Sequence, residues 1–278
     1  MNRLRNVIVL AALLLPAAAF AQVGIRNSAH DLSNSSATST LKNQEATHNQ
    51  LCIYCHTPHK AQSSQLLWNH SPTLTASWTW GNDLDGNALT KSSEGTTLPT
   101  SLRSSSKRCL GCHDGTVAVG DMSNIGGGFA GVIGGLASVG GHTDADGKLI
   151  NSAYLVGAAG NLGGNHPVSI PYAGETGYNS IDSSVPASEV GPSVLGGYYS
   201  VVTGASCLSP TGICTSAPAS DGRNGAAVNL VPNAPGGTAN VGVECSSCHE
   251  PHNKYGYRAF ARVDIENASG LCRSCHNK

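Results

Sequence analysis

Four short stretches of this 278-residue chain carry one arrangement of reactive side chains: Cys52-x-x-Cys55-His56, Cys109-x-x-Cys112-His113, Cys245-x-x-Cys248-His249 and Cys272-x-x-Cys275-His276. Two thiols with two residues between them, on a single turn of chain, can add to the two vinyl groups on one side of a porphyrin. The His that follows then lies under the iron and supplies an axial nitrogen. A shuffled chain with ten Cys and eleven His would hold roughly 0.01 copies of the pattern, so four copies are a signal. Zinc bound by Cys-x-x-Cys pairs is the rival chemistry, and it does not need a His after every second Cys. The motifs therefore imply four covalently attached c-type haems, with His56, His113, His249 and His276 as the proximal iron ligands.

Seven of the eleven His lie outside that proximal set, enough for a second nitrogen on every iron. The favoured distal ligands are His30, His59, His166 and His252, with His70 in reserve. His166 stands immediately before Pro167, which restricts it to extended geometry. His48 and His142 read as solvated. Met1 and Met122 are the only methionines and Met1 falls in the leader described below, so His/Met ligation is nearly excluded. Two strong nitrogen ligands leave no open position for a substrate and favour a low potential. Electron transfer follows from that ligand count, and catalysis does not.

The elements that must position these residues form a doubled unit. Cys52-x-x-Cys-His-Thr-Pro-His59 is followed by the Cys109 motif, and Cys245-x-x-Cys-His-Glu-Pro-His252 by the Cys272 motif. On a helix, His56 and His59 share one face, so His59 cannot reach round to the far side of the same iron. The simplest reading sends His59 to the second haem and His252 to the fourth; swapped pairings remain open. Short helices are expected at the motifs.

Between the motifs the sequence is poor in order-forming residues. Aromatics are 5% of the chain, charged residues 12%, and Gly contributes 34 residues. Such a composition argues against long helices and a large aliphatic core. The expected fold is mostly irregular, with a few short strands and a core built around stacked haems. Asp114 to Gly120 is a strand candidate, and Trp68, Trp78 and Trp80 are packing rings. Gly126 to Gly131 formally matches Gly-x-Gly-x-x-Gly, but no strand-to-helix context supports nucleotide binding. Asp144 and Asp146 lack the remaining ligands of a calcium loop. Cys207 and Cys214 flank a turn signal and are read as a disulfide. The formal charge of -1 offers no basic footprint for nucleic acid.

Met1 to Ala21 reads as a secretory signal peptide: Arg3 and Arg5, an apolar run from Val7 to Leu15, and Ala19-Phe20-Ala21 before the cut. Its apolar run is too short to span a bilayer, and no later stretch qualifies as a transmembrane helix. Residues 22–278 form one tetrahaem domain. It divides into an N-terminal haem pair (22–125), a Gly/Ser-rich segment (126–240) and a C-terminal haem pair (241–278). Residues 22–50 form an arm of weak helical periodicity leading to the first motif.

His30-Asp-Leu-Ser33, the two Cys-x-x-Cys-His-x-Pro-His motifs, Leu67-Trp-Asn-His70, Cys109 to Ala118 and Asn165-His-Pro-Val168 together resemble the doubled-CxxCH multihaem c-type cytochromes. Within that family the resemblance is closest to the OmcE-type tetrahaem extracellular filament cytochromes. It spans most of the chain after residue 21; the segments 121–160 and 172–240 add little. It implies bis-His haems, little regular structure, and polymerisation into filaments that carry electrons to acceptors outside the cell. It also implies that a subunit can lend a His to a neighbour's haem, with His30 the candidate. A soluble periplasmic electron shuttle is the alternative function, and a multihaem reductase a third. The expected location is extracellular or at the outer cell surface, and the expected partners are further copies of the chain and redox partners or acceptors.

Overall fold

The computed structural model describes residues 24–45, 49–63, 65–91, 97–124, 131–171, 231–232, 241–262, 265 and 271. Regular structure is sparse among them. Helix α1 (Ser104–His113) carries the second motif, and one short turn of helix, α2 (Cys245–Cys248), carries the third. The strands are β1 (Asp121–Met122), β2 (Gly131–Val132), β3 (Ile170–Pro171), β4 (Val231–Pro232) and β5 (Val241–Val243). Strands β1 and β2 pair antiparallel, Asp121 opposite Val132. Strand β5 is central between β3 and β4, with Ile170 opposite Val243 and Val231 opposite Gly242, and it runs directly into α2. No helix among the described residues is long and apolar enough to cross a membrane.

Helix α1 forms where Ser104 to His113 contains neither Pro nor a β-branched residue. It closes with Gly115 at φ 73, the left-handed position that a glycine occupies after a helix end. Helix α2 starts with a capping box, the Glu244 N–H donating to Ser247 Oγ at 2.9 Å. It stops at His249, whose backbone is extended, two residues before Pro251. The helices pack side by side. Ser105 and Ser246 hydroxyls lie 2.6 Å apart, and the Cys245 N–H donates to Ser106 Oγ at 3.0 Å.

Two small apolar clusters support the motifs. Leu32, Tyr54, Val119, Met122, Ile133, Leu136 and Leu149 form one, with Ile53 and Cys55 of the first motif at its edge. Trp78, Trp80, Leu98, Leu102, Leu110 and Leu162 form the other, so both of these tryptophans pack as the sequence suggests. Leu110, inside the second motif, is 1% exposed and anchors α1 to that cluster.

Three expectations differ from the structure. The segment at 114–120 is not a strand, because Asp114 Oδ1 accepts from the Thr116 N–H and hydroxyl and turns the chain. The arm at 24–45 forms turns instead of helix; Asp31 draws the Asn27 and Ser33 amides onto its carboxylate. The first motif makes only one turn, with the His56 N–H donating to Cys52 O at 2.8 Å. Beyond it the Thr57 N–H donates to Leu67 O at 2.9 Å, and this diverts the chain before His59 can continue a helix.

Candidate metal centre

The first and third motifs repeat at the level of individual hydrogen bonds. His56 bridges Trp68, and His249 bridges Ala261 in the same antiparallel sense. The Asn69 N–H donates to Cys55 O at 2.9 Å, and the Arg262 N–H donates to Cys248 O at 2.9 Å. Leu66 and Leu67 adopt positive φ, as do Ala259 and Phe260. Gln65-Leu-Leu-Trp68 and Arg258-Ala-Phe-Ala261 share no identical residue, only a polar position followed by three apolar ones, so the duplication extends past what residue identity reveals.

The left-handed pairs have a function within the unit. They aim the Leu66 carbonyl at His56 Nδ1 (2.6 Å) and the Ala259 carbonyl at His249 Nδ1 (2.8 Å). In the second motif the Tyr154 carbonyl takes that role for His113 Nδ1, at 2.8 Å. A carbonyl can only accept, so each ring carries a proton on Nδ1, and Nε2 is the nitrogen left outside that bond. That tautomer and that restraint are what a metal-ligating imidazole needs.

The predicted distal set divides. His30 is half-buried, with Nδ1 3.0 Å from Pro251 O and its ring stacked on Phe260 at 4.5 Å. The arm is also tied down by the Gly24 N–H donating to Asn253 O at 2.9 Å, so His30 docks on its own chain. Burial, together with His113, His252 and His249, lowers His30 to about 4. Burial and His249 also lower His113, so both rings are neutral near pH 7. His252 Nδ1 donates to Glu250 Oε1 at 2.8 Å, and this bond raises His252. Against burial, that bond and the Lys254 N–H bring Glu250 down to about 2. His59 and His166 are exposed, His166 with Nδ1 2.8 Å from Pro167 O. His70 sits between two carbonyls, Ser71 O at 2.7 Å and Ala118 O at 2.8 Å. Against burial, Cys112, whose Sγ lies 3.3 Å from Nε2, and those carbonyls push it up to about 9. His142 accepts from Asn151 Nδ2 at 3.1 Å on Nδ1, the reverse of the motif histidines. His48, Cys207, Cys214, Cys272, Cys275 and His276 lie outside the described residues.

The thiols link the motifs into a row. Cys55 has Cys112 near it, and burial with Cys112 and Cys52 pushes its thiol up to about 12. Cys109 hydrogen-bonds Cys245, and that bond together with burial raises Cys109 well above an ordinary thiol. The second motif thus neighbours both the first and the third. None of the six described motif cysteines is in a disulfide.

These residues fit covalent haem on the chemistry of the donor set. Among the described residues no three His, Cys, Asp or Glu converge on a metal ion. A haem iron takes only two protein nitrogens, because the porphyrin supplies the others. The neighbourhood is apolar as well. Leu66 and Leu67, beside His56, are 64% and 47% exposed, and Tyr154, beside His113, is 40% exposed. Trp68 sets its ring edge-on to His56 at 5.9 Å and 85°, with a buried Nε1–H that has no acceptor among the described residues. Trp68, Phe260, Glu250 and the carbonyl acceptors were not singled out as site residues from the sequence. Glu250, inside His-Glu-Pro-His, and Trp68, inside Leu-Trp-Asn-His, carried a readable signal. Compared with known proteins, the chain matches no family model and no curated protein.

Proposed function

We propose that this protein is a tetrahaem c-type cytochrome. On this reading it transfers electrons over long range outside the cytoplasm, through bis-His haems, by polymerising into a filament. The observation that carries the reading is the pairing of four Cys-x-x-Cys-His motifs with the Nδ1-anchored histidines of the three described ones. Bound haem supplies reversible one-electron chemistry between ferric and ferrous iron. The chain's part is to fix orientation. Leu66, Tyr154 and Ala259 hold the proximal rings through their carbonyls, which sets the tautomer and raises ligand basicity. The α1–α2 contact and the Cys55–Cys112 and Cys109–Cys245 neighbours keep successive motifs adjacent, as electron hopping requires.

The test is expression in a host that attaches c-type haem after export, followed by mass spectrometry and electron microscopy. Four haems and filaments would support the reading in full. Four haems with only monodisperse particles would restrict it to a soluble electron carrier. Carbon monoxide binding to the reduced protein would reveal an open iron position and replace electron transfer with a reductase.

A further inference from the structure

The motif unit suggested that His252 serves the haem of the neighbouring Cys272 motif. The structure places its ring beside His56. The His252 and His56 ring centres are 6.1 Å apart, with their planes 16° from parallel. His30 and His113 stand at the same spacing, 6.1 Å, with planes at 59°. Face contact in this chain looks different: His30 and Phe260 stack at 4.5 Å.

The spacing has a chemical meaning. A metal–imidazole nitrogen bond is about 2 Å, so two imidazoles that share one metal through Nε2 have ring centres about 6 Å apart. Both pairs meet that distance. In each of the four rings Nδ1 is already engaged by oxygen: Leu66 O for His56, Glu250 Oε1 for His252, Pro251 O for His30 and Tyr154 O for His113. What remains on every ring is Nε2, the atom that binds iron. Glu250 is itself 8% exposed, and its carboxylate is held by the Lys254 N–H at 2.8 Å, so the acceptor that orients His252 is fixed in turn.

We propose that His56 and His252 are the two axial ligands of the first haem, with His30 and His113 the corresponding pair on the second. The proposal rests on the cytochrome reading and adds a connectivity. The first iron joins residues 52–56 to residues 249–252, so the N-terminal and C-terminal haem pairs are interlocked. Glu250 is a positioning residue, acting through His252. The fourth haem then draws its distal nitrogen from a residue other than His252.

The experiment is electron paramagnetic resonance of the ferric, haem-loaded full chain, with haem number counted by mass spectrometry. His252→Ala should keep four haems and convert one of them from low to high spin. In a Cys52→Ser/Cys55→Ser background, which lacks the first haem, the same substitution should produce no high-spin iron. A high-spin signal that persists in that background would assign His252 to another haem and overturn the pairing. Fully low-spin iron in His252→Ala would overturn it too. His252→Met guards against misfolding: methionine restores a second ligand and should give the ferric iron–methionine charge-transfer band, again only while the first motif is intact. Absence of that band from a folded four-haem protein would count against the pairing. A parent protein without covalent haem would refute the cytochrome reading itself, a separate result visible by mass alone.

Discussion

Replacing Glu244 by Gln should stabilise the protein in alkali and leave it unchanged in acid. Glu244 is fully buried at the junction of β5 and α2. Its Oε2 accepts from the Ser106 hydroxyl and from Ser169 Oγ, the latter at 3.0 Å. Its Oε1 has no donor among the described residues. Burial therefore pushes the carboxyl up to about 7, while Ser106, Ser169 and Arg103 oppose the rise. The nearby Arg108 is affected in turn, Glu244 raising it against the lowering effect of burial. A carboxyl whose folded value exceeds its unfolded one binds its proton more tightly when folded. The folded state thus carries no penalty below the unfolded value of 4.5, and stability falls as pH rises through about 7. Above both values the cost of ionising Glu244 is about 3 kcal/mol. Gln is the neutral isostere of the protonated acid and escapes that cost. Guanidinium unfolding followed by tryptophan fluorescence should give equal stabilities near pH 4 and an advantage of about 2–3 kcal/mol for the variant near pH 9. An advantage that does not change with pH, or a variant weaker at both ends, would show that Glu244 is not held protonated by its surroundings.

Gly111→Ala should cost about 1–3 kcal/mol, because the added methyl would sit 2.6 Å from the Ser71 carbonyl oxygen; thermal unfolding within a degree of the parent would refute this. Ala259→Gly should gain about 0.5–1 kcal/mol by relieving φ 54 at a non-glycine residue, with the haem spectrum unchanged. A loss of stability in chemical denaturation would mean that the left-handed turn is not strained. On the proposed pairing, Glu250→Gln should raise the midpoint potential of one haem and keep it low-spin, since a neutral amide makes His252 a less basic ligand than a carboxylate does. Four unchanged midpoints in a spectroelectrochemical titration would remove Glu250 from that role.

The chemistry of this chain is legible where residue types alone decide it. Cys52, Cys55 and His56 and their repeats can be found without a structure, and so can the doubling of His-x-Pro-His. The packing of Trp78 and Trp80 follows from their apolar bulk. The missing parts are contacts made by backbone. The carbonyls of Leu66, Tyr154 and Ala259 could belong to any residue, so no composition marks them. His56 and His59 were placed on one helical face because their spacing allows it. The Thr57–Leu67 hydrogen bond, a long-range closure, overrides that local preference. His252 near His56 joins positions 196 residues apart, and no local periodicity encodes such a contact. His70 shows the same limit: Leu-Trp-Asn-His marks it as a candidate ligand, while the Ser71 and Ala118 carbonyls that its ring meets leave no trace in that motif.

The docking of the arm on the far end of the chain also sets an order of assembly. Gly24 holds Asn253, and His30 rests on Pro251 and Phe260, contacts more than 220 residues apart in sequence. A chain delivered N-terminus first cannot make them until residue 260 has emerged. Closures of that span are slow, since the entropy of a long loop must be lost before any contact repays it. The last contacts to form are those that carry the arm onto residues 251–260, so the topology orders assembly: the turns around the first motif, closed by residues 66–69, can form early, and the docking of the arm completes the fold.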